Sequence, residues 1–486
     1  MLKSKFIDIV KTFSKEELKE FKDFLNSPFH NSNKNVIKIY ELVRKAAPDF
    51  NSASIDKENL FKKIYRGKKY NDTVMRILLS DLLKLGEEFL VVKASKSSKS
   101  GELLTLLEEL KVRGLDSLYR TNYKNALNAL EEMEDARSRY FSKFELEIVN
   151  VDYYLRKDKQ QLITGNVLER AESILYFALI ELVRNVHDLI INERTFNAKF
   201  DFNPIFEFFN SFDFEKMIQK LKENKSEHYP ILHIHYSLLM TLLYEENEEY
   251  YGNFKNAVKS YMGKLNKLEQ YRFLHHLESC CLNRMKYNIQ KYKNEIFEVY
   301  ELMLASGTYS STDKDDMTLQ RYKNILVAGI NLNMPDWTES FMDKYIEKVQ
   351  PEYRESMRAY SNALINFTRK NFTKSLENIN KVKYDYFILK MDIKSWTLKI
   401  YYELSYFEQA FSLMDSYRHF LSKNKSLSEH FRERHLNFLK YTGDLLKLNS
   451  GKDEAGLYKL KNDLTGTGNV VHKDWLLEKA GILSGF

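Results

Sequence analysis

Apolar residues along this chain recur at intervals of three and four, with polar residues between them, over most of its 486 positions. This spacing is typical of one buried face of an α-helix. Between residues 74 and 89, for example, one such stripe would be formed by Val74, Leu78, Leu82, Leu85 and Phe89. No segment sustains the two-residue alternation of a half-buried strand, and only 6 prolines and 16 glycines occur. The sequence therefore predicts an all-α fold.

Interruptions of the helical pattern divide the chain into four segments. The small and basic residues "VKASKSSKSG" at positions 92–101 predict a linker. Residues 1–91 would then form a basic helical domain, which starts with a helix capped by Ser14 and Glu17. Residues 102–450 would form a long helical region. The last segment, 451–486, contains the amphipathic stretch "KDWLLEKAGIL" (473–483), which we expect to cover the end of that region.

A short motif recurs every 35 residues in the long helical region. Its three regular copies are "DWTESF" (336–341), "NFTKSL" (371–376) and "YFEQAF" (406–411). They align Trp337 with Phe372 and Phe407, and Ser340 with Ser375 and Ala410. Less regular copies begin at Tyr123, Phe214, Phe254 and Tyr292. Because a helical hairpin cannot bury its apolar face alone, such a repeat predicts seven or eight stacked hairpins within residues 102–450.

This motif resembles the tetratricopeptide repeat, because small residues, Ala328 and Ala363, also precede Ser340 and Ser375 by twelve positions. The resemblance implies a right-handed superhelix that binds a protein or peptide on its concave surface. By the same resemblance, the residues facing the groove include Ile325 and the candidate partner-binding residues Tyr322, Tyr360, Leu364, Lys399 and Tyr402. This set lacks the lysines and asparagines of repeats that clamp a terminal carboxylate. The alternative is that some of these side chains belong to the core.

Positive charge is concentrated at the start of the chain. Residues 1–100 carry 21 Lys and Arg against 13 Asp and Glu, whereas the remaining residues carry 54 against 55. Residues 56–92 predict a helix, a basic turn and a longer helix, which resembles the helix-turn-helix of winged-helix DNA-binding domains. The resemblance implies that the helix starting at Thr73 enters the major groove. The candidate nucleic-acid contacts are Lys62, Lys63, Arg66, Lys68, Lys69 and Arg76. The alternative is a solvated basic face on a helical cap.

Local signatures of enzymes and metal sites are missing from the sequence. It contains no phosphate-binding loop, no dinucleotide-binding glycine motif, no nucleophile elbow and no H-E-x-x-H. His276 and Cys280 lie four residues apart, but His233 and His235 would point to different faces of one helix. We therefore predict a protein that is not an enzyme and needs no cofactor and no metal.

The sequence also predicts a cytoplasmic protein without a membrane segment. The two cysteines, Cys280 and Cys281, are adjacent, so a disulfide between them would be strained. The longest apolar run, residues 174–183, contains Glu181 and is shorter than the ~20 residues that span a bilayer. We expect a scaffold that binds a protein or peptide. The alternative is a nucleic-acid-binding regulator whose helical region senses a partner or effector.

Overall fold

A computed structural model describes residues 4–50, 55–97, 99–196, 204–310, 316–383, 387–424, 429–449 and 453–484. Within these ranges the chain forms 24 α-helices and no strand, apart from one isolated bridge between Met317 and Val349. The predicted all-α fold is confirmed. None of the described helices is both long and apolar enough to cross a membrane.

The helices vary in length from one and a half to nine turns. The first twelve are α1 (Lys5–Val10), α2 (Lys15–Asn26), α3 (Lys34–Arg44), α4 (Lys57–Ile64), α5 (Asp72–Ser97), α6 (Lys99–Val112), α7 (Asp116–Glu131), α8 (Ala136–Leu155), α9 (Thr164–Phe196), α10 (Pro204–Ser211), α11 (Phe214–Glu223) and α12 (Tyr229–Leu243). The others are α13 (Glu248–Tyr261), α14 (Lys267–Arg284), α15 (Ile289–Ser306), α16 (Leu319–Asn331), α17 (Pro335–Tyr345), α18 (Pro351–Thr368), α19 (Phe372–Ile379), α20 (Phe387–Glu403), α21 (Phe407–Lys423), α22 (Glu429–Leu448), α23 (Glu454–Gly466) and α24 (Lys473–Leu483).

The chain divides into two compact units. The first comprises Met1–Glu132 with Ser142–Arg170, and the second comprises Met133–Phe141 with Ala171–Phe486. The predicted linker, residues 92–101, lies within the first unit and is helical at each of its described positions. The lysines and serines of this segment are compatible with the solvent-exposed face of a helix. Lys93 also forms ion pairs with Glu17 (3.3 Å) and Glu20 (2.6 Å) of α2. At the described positions of this segment the expected loss of helical structure is not seen, although one helix, α5, ends at Ser97 and the next, α6, begins at Lys99.

The core of the first unit is built around α5, which packs against α1, α2, α3 and α4. In the predicted stripe of this helix, Leu78, Leu82, Leu85 and Phe89 are buried and Val74 packs against them at the edge. The predicted capping box is confirmed, since Glu17 N–H donates to Ser14 Oγ at 3.1 Å and Ser14 N–H donates to Glu17 at 2.8 Å. The start of α5 is capped by Asn71, whose side-chain oxygen accepts from Val74 N–H at 3.1 Å.

In the second unit each helix from α11 to α24 packs against the next one. The turns that close three successive hairpins, α16–α17, α18–α19 and α20–α21, have the same geometry. Each contains one residue with positive φ, namely Asn333 (55°), Lys370 (63°) and Ser405 (59°). In each turn the next residue donates its N–H five residues back: Met334 to Gly329 (3.0 Å), Asn371 to Asn366 (2.8 Å) and Tyr406 to Tyr401 (2.8 Å). These bonds satisfy carbonyls at the helix ends, as in the Schellman motif.

The turns show that the first copy of the motif was aligned two residues too late. Phe372 and Phe407 are the first residues of their helices, whereas α17 starts at Pro335 and places Trp337 third. The buried small position of α17 is Thr338, while Ser340 is exposed. The repeat is longer here, because 37 residues separate Asn333 from Lys370 and 35 separate Lys370 from Ser405.

Candidate ligand site in the second unit

Most of the predicted partner-binding residues are buried in the core of the second unit. Tyr322, Tyr360, Leu364 and Lys399 are buried, and Tyr402 is half-buried with its ring 5.3 Å from that of Trp475. Their helical spacing directs them toward neighbouring helices rather than toward solvent, so we assign no contact with a partner surface to them. Tyr360 nevertheless lines a cavity that opens to solvent.

This cavity, which we call the central pocket, has a volume of about 290 Å³. It lies among the first helices of four successive hairpins, α14, α16, α18 and α20, together with α15 and the residue before α24. Its lining residues are Leu282, Met285, Lys293, Ile296, Tyr300, Gln320, Lys323, Asn324, Val327, Ala328, Asn331, Tyr360, Asp392, Trp396 and His472. A concave site with an apolar wall and a few convergent polar groups is the usual form of a ligand site.

Among the buried polar atoms of the lining, two satisfy no hydrogen-bond geometry with a described residue, although one of them, the Tyr360 hydroxyl, lies close enough to Trp396 for a weak contact. They are the hydroxyl of Tyr360 and the side-chain oxygen Oε1 of Gln320. The amide nitrogen of Gln320 is already committed, because it donates to Asn324 Oδ1 at 2.7 Å. Each of the two atoms has less than 1 Å² accessible to water, so a ligand in the cavity would reach them only if neighbouring side chains moved.

Two ion pairs contribute charge to the central pocket. Lys323 Nζ lies 2.5 Å from Asp392 Oδ2, and Lys293 pairs with Asp474 of α24. Burial raises the pKa of Asp392, and the charge and hydrogen bond of Lys323 partly offset this effect. Each lysine ammonium carries three N–H donors and needs only one for its carboxylate, so both retain donors for a ligand.

A buried charge network supports the floor of the pocket. Glu278 accepts hydrogen bonds from Tyr300 Oη (2.5 Å), from Asn324 Nδ2 (3.2 Å) and from the guanidinium of Arg321. Burial alone would raise the pKa of Glu278. The hydrogen bond with His275, the charge of Arg321 and the bond from Tyr300 outweigh burial and lower this pKa to about 2. The network fixes the positions of Tyr300 and Asn324, which both line the pocket.

His472 forms part of the wall although it lies far along the chain from the other lining residues. It precedes α24 with a left-handed backbone (φ 54°), which is uncommon for a residue with a side chain. Its ring lies edge-on to Trp396 at 5.2 Å and to Phe438 at 5.3 Å. Burial holds the pKa of His472 well below its usual value, so this ring is neutral at physiological pH.

Behind Trp396 lies Lys399, a buried lysine that makes no direct ion pair among the described residues. Its Nζ is 3.7 Å from the ring centroid of Trp396 and 4.6 Å from that of Phe367, which are cation–π distances. Burial lowers the pKa of Lys399 to about 7, although Glu403 and Glu478 oppose this shift.

The histidines and cysteines considered as metal ligands are dispersed through the helix interfaces. Cys280 and Cys281 are buried and not disulfide-bonded, and the hydroxyl of Tyr251 lies 3.0 Å from Cys281 Sγ. The His276 ring lies 4.3 Å from that of His187. Across the described part of the chain, no group of three or more His, Cys, Asp or Glu residues is arranged to hold a metal ion.

The predicted basic residues of the first unit form an exposed surface. We call it the basic surface, and it comprises the end of α4, the following turn and the start of α5. Its members, all exposed, are Lys62, Lys63, Arg66, Lys68, Lys69 and Arg76. Arg76 pairs with Asp72 at 2.6 Å, and the Lys68 ammonium lies 5.8 Å from the Tyr65 ring. No two-stranded wing follows α5 among the described residues, because positions 91–97 continue α5 and positions 99–101 belong to α6.

Sequence reasoning missed most residues of the central pocket. Lys293, Lys323, Asp392 and His472 come from four separate elements and form no local motif. Comparison with protein-family models, with curated proteins and with solved structures found no match to this chain.

Proposed function

We propose that this chain is a non-catalytic scaffold whose second unit binds a partner protein or peptide across the mouth of the central pocket. The observation that carries the proposal is the position of the pocket, which opens among the first helices of four successive hairpins. In stacked helical repeats, the aligned equivalent helices form an extended surface that accepts a partner segment. The open mouth of the central pocket offers such a segment both apolar and charged contacts.

The mouth offers an accessible apolar contact at Leu282. This side chain is 50% exposed and lines the pocket, and Asn331 is exposed beside the same opening. An exposed leucine at the edge of a cavity is suited to anchor a partner, since burying it removes apolar surface from water.

Affinity capture with cross-linking from native cells tests this function. Leu282→Arg should reduce retention of the cross-linked partner about tenfold or more, because a charged side chain cannot be buried in the contact. Leu436→Arg is the matched control, since Leu436 is 39% exposed on α22 and does not line the pocket. Equal retention by both variants, or cross-links that avoid α14, α16, α18 and α20, would disprove the proposed surface.

A second candidate function is nucleic-acid binding by the first unit. The exposure of all six residues of the basic surface favours it, because phosphate contacts require accessible cations. The surface adjoins the N-terminus of α5, whose helix dipole also favours a phosphate group.

Fluorescence anisotropy with the full chain and labelled duplex DNA tests this second function. Replacing Lys68 and Lys69 together by Glu should weaken binding and reduce the salt slope by about 2, which is roughly one for each phosphate contact. Replacing Lys216 and Lys222, exposed on α11, by Glu is the control and should change neither quantity. Undetectable binding at low salt would refute the nucleic-acid function.

A further inference from the structure

Leucine recurs every seven residues along α9, which at 33 residues is the longest of the described helices. A small or short polar residue follows each of the first three leucines by three positions. In chain order these residues are Leu168, Ala171, Leu175, Ala178, Leu182, Asn185 and Leu189, and Thr164 precedes them at the same spacing. Alternating intervals of three and four place all eight side chains along one side of the helix, as in the seam of a coiled coil. We call these eight residues the leucine stripe.

The leucine stripe occupies a different face of α9 from the faces that turn to the core and to α8. Tyr176 and Val183 are buried in the core of the second unit, and the Phe177 ring lies 5.0 Å from that of Phe141 in α8. Each residue of an α-helix advances by about 100°, so Leu175 points about 100° away from Tyr176 and about 160° away from Phe177. The stripe therefore lies beside the core face, on the side opposite to α8.

Water reaches the leucine stripe along much of its length. Leu168 is 60% exposed, Leu175 is 40% exposed, and Ala171 and Asn185 are also exposed. The half-buried members are Ala178, Leu182 and Leu189. No residue of the stripe carries a charge. Accessible leucines at heptad spacing on a long helix are suited to pack against a second helix, because this contact removes their apolar surface from water.

The order of large and small residues makes the leucine stripe complementary to its own reverse. Two antiparallel α9 helices related by a two-fold axis between positions 176 and 177 oppose one large residue to one small or short residue in every layer. The opposed pairs are Leu175 with Ala178, Leu182 with Ala171, Leu168 with Asn185, and Leu189 with Thr164. Layers of equal size keep the two helices at a constant separation. A parallel pair would stack leucine on leucine and alanine on alanine, which alternates wide and narrow layers.

The same arrangement distinguishes this register from its neighbours. It pairs all four leucines within α9 and includes one asparagine from each helix. A slip of one heptad in one direction adds Asn192 to the seam, and a slip in the other direction places Leu189 opposite position 157, before α9 begins. The side-chain nitrogen of Asn185 donates to the carbonyl oxygen of Glu181 at 2.8 Å, so this nitrogen is already bonded when the residue faces a leucine.

We propose that the leucine stripe joins two copies of this chain through an antiparallel pair of α9 helices. Such an interface is isologous, since the same stripe serves both copies. None of the residues of the stripe lines the central pocket. The inference goes beyond the proposed scaffold function, and dimer formation is measured without a partner protein or nucleic acid, so each proposal can fail alone.

Sedimentation velocity of the full chain over a concentration series tests the dimer. The mass should rise from that of one chain to that of two as the concentration increases. Leu175→Arg should weaken the dimer at least about tenfold, because its charge would enter an uncharged seam. Leu436→Arg is the matched control, since Leu436 is 39% exposed on α22, and it should leave the dissociation constant unchanged. A chain that stays monomeric at high micromolar concentration, or a dimer that Leu175→Arg does not weaken, overturns the inference.

Two cysteine variants test the antiparallel register. A mixture of Ala171→Cys and Leu182→Cys should form a disulfide between chains on mild oxidation, because the two positions face each other across the seam. Within a dimer of either variant alone, the two new cysteines lie 11 positions apart, or about 16 Å, whereas a disulfide requires Cα atoms within about 7 Å. The natural cysteines, Cys280 and Cys281, are buried. Absence of cross-linking in the mixture, or equal cross-linking by each variant alone, overturns the antiparallel pair.

Discussion

The guanidinium of Arg321 donates to the carboxylate of Glu278 from the adjacent hairpin, in a place where both side chains are almost inaccessible to water. Their side chains are 6% and 3% exposed, and 43 residues separate them along the chain. The pair joins α14 to α16 beneath the central pocket. Because both ions are desolvated, loss of either partner leaves an uncompensated buried charge.

We therefore expect Arg321→Met to lower the free energy of unfolding by about 3–5 kcal/mol, as measured by urea denaturation. Arg418→Met is the control and should cost at most about 0.5 kcal/mol, because Arg418 is 47% exposed and its pair with Asp415 is screened by solvent. Replacing Glu278 by Leu in the Arg321→Met background should restore part of the loss. A similar small effect for both arginines would contradict the role of the buried pair.

Lys399 should make the stability of the second unit depend on pH above neutrality. Its pKa is about 7 in the folded state because of burial, whereas an unfolded chain holds a lysine near 10.4. Between these values the unfolded state binds more protons, so this residue's destabilising effect is complete below pH 7 and is relieved as the pH rises. The stability gained is at most about 1.4 kcal/mol per pH unit.

Lys399→Met removes the titrating ammonium group. The free energy of unfolding of this variant should exceed that of the natural chain by the largest amount at low pH. The difference between their free energies of unfolding should therefore shrink between pH 7 and pH 9, both of which lie below the ordinary lysine pKa of about 10.4. Guanidinium denaturation at the two values measures it. A difference that does not change with pH would show that Lys399 is charged in the folded protein throughout.

The two buried tyrosines Tyr360 and Tyr417 should respond oppositely to removal of the hydroxyl. Tyr360→Phe deletes a buried hydroxyl that donates to no described group and has only a weak contact with Trp396, so it should stabilise the protein by up to about 1 kcal/mol. Tyr417 donates to the carbonyl oxygen of Met391 at 3.1 Å and its hydroxyl lies 2.7 Å from His435 Nδ1, so Tyr417→Phe should cost about 1–3 kcal/mol. Thermal unfolding of the two variants distinguishes them. Equal destabilisation would show that the Tyr360 hydroxyl has a partner in solution.

Gly329 should mark the closest approach of α16 to α17. A Cβ atom built at Gly329 would lie 2.5 Å from Thr338 Oγ1 and 2.8 Å from the Trp337 ring. Gly329→Ala should therefore destabilise the protein by about 1–3 kcal/mol, despite the higher helix propensity of alanine. Gly252→Ala in α13 has no neighbouring atom within 4 Å and should stabilise by up to about 1 kcal/mol. Denaturant midpoints compare the two, and stabilisation by both would disprove the close crossing.

The parts of the fold that depend on local periodicity were predictable from the sequence. The stripe of α5 and the capping box of α2 are set by residues within a few positions of one another, so their spacing is sufficient. The helical structure of the described positions in 92–101 was not predictable from composition, which cannot reveal the pairing of Lys93 with Glu17 and Glu20, more than 70 positions away. Ser340 was misplaced because a repeat of 37 residues was treated as one of 35.

The candidate site was predictable only in part. Tyr360 was identified from its place in the repeat, but the same pattern selected Tyr322 and Leu364, which pack between helices instead. The angles between hairpins determine which face of each hairpin's first helix is buried. These angles cannot be predicted from residue spacing. Lys293 and Asp392 join the pocket through tertiary packing alone.

The ion pair between Lys293 and Asp474 spans 181 residues, and this separation has a consequence for biosynthesis. Ribosomes add about 5–20 residues per second, so α15 leaves the exit tunnel roughly 10–35 s before α24. During that interval Ile296 and Val327 lack the wall supplied by His472. Until α24 has been synthesised, nascent chains of this protein therefore expose Ile296 and Val327 on the side that His472 later covers.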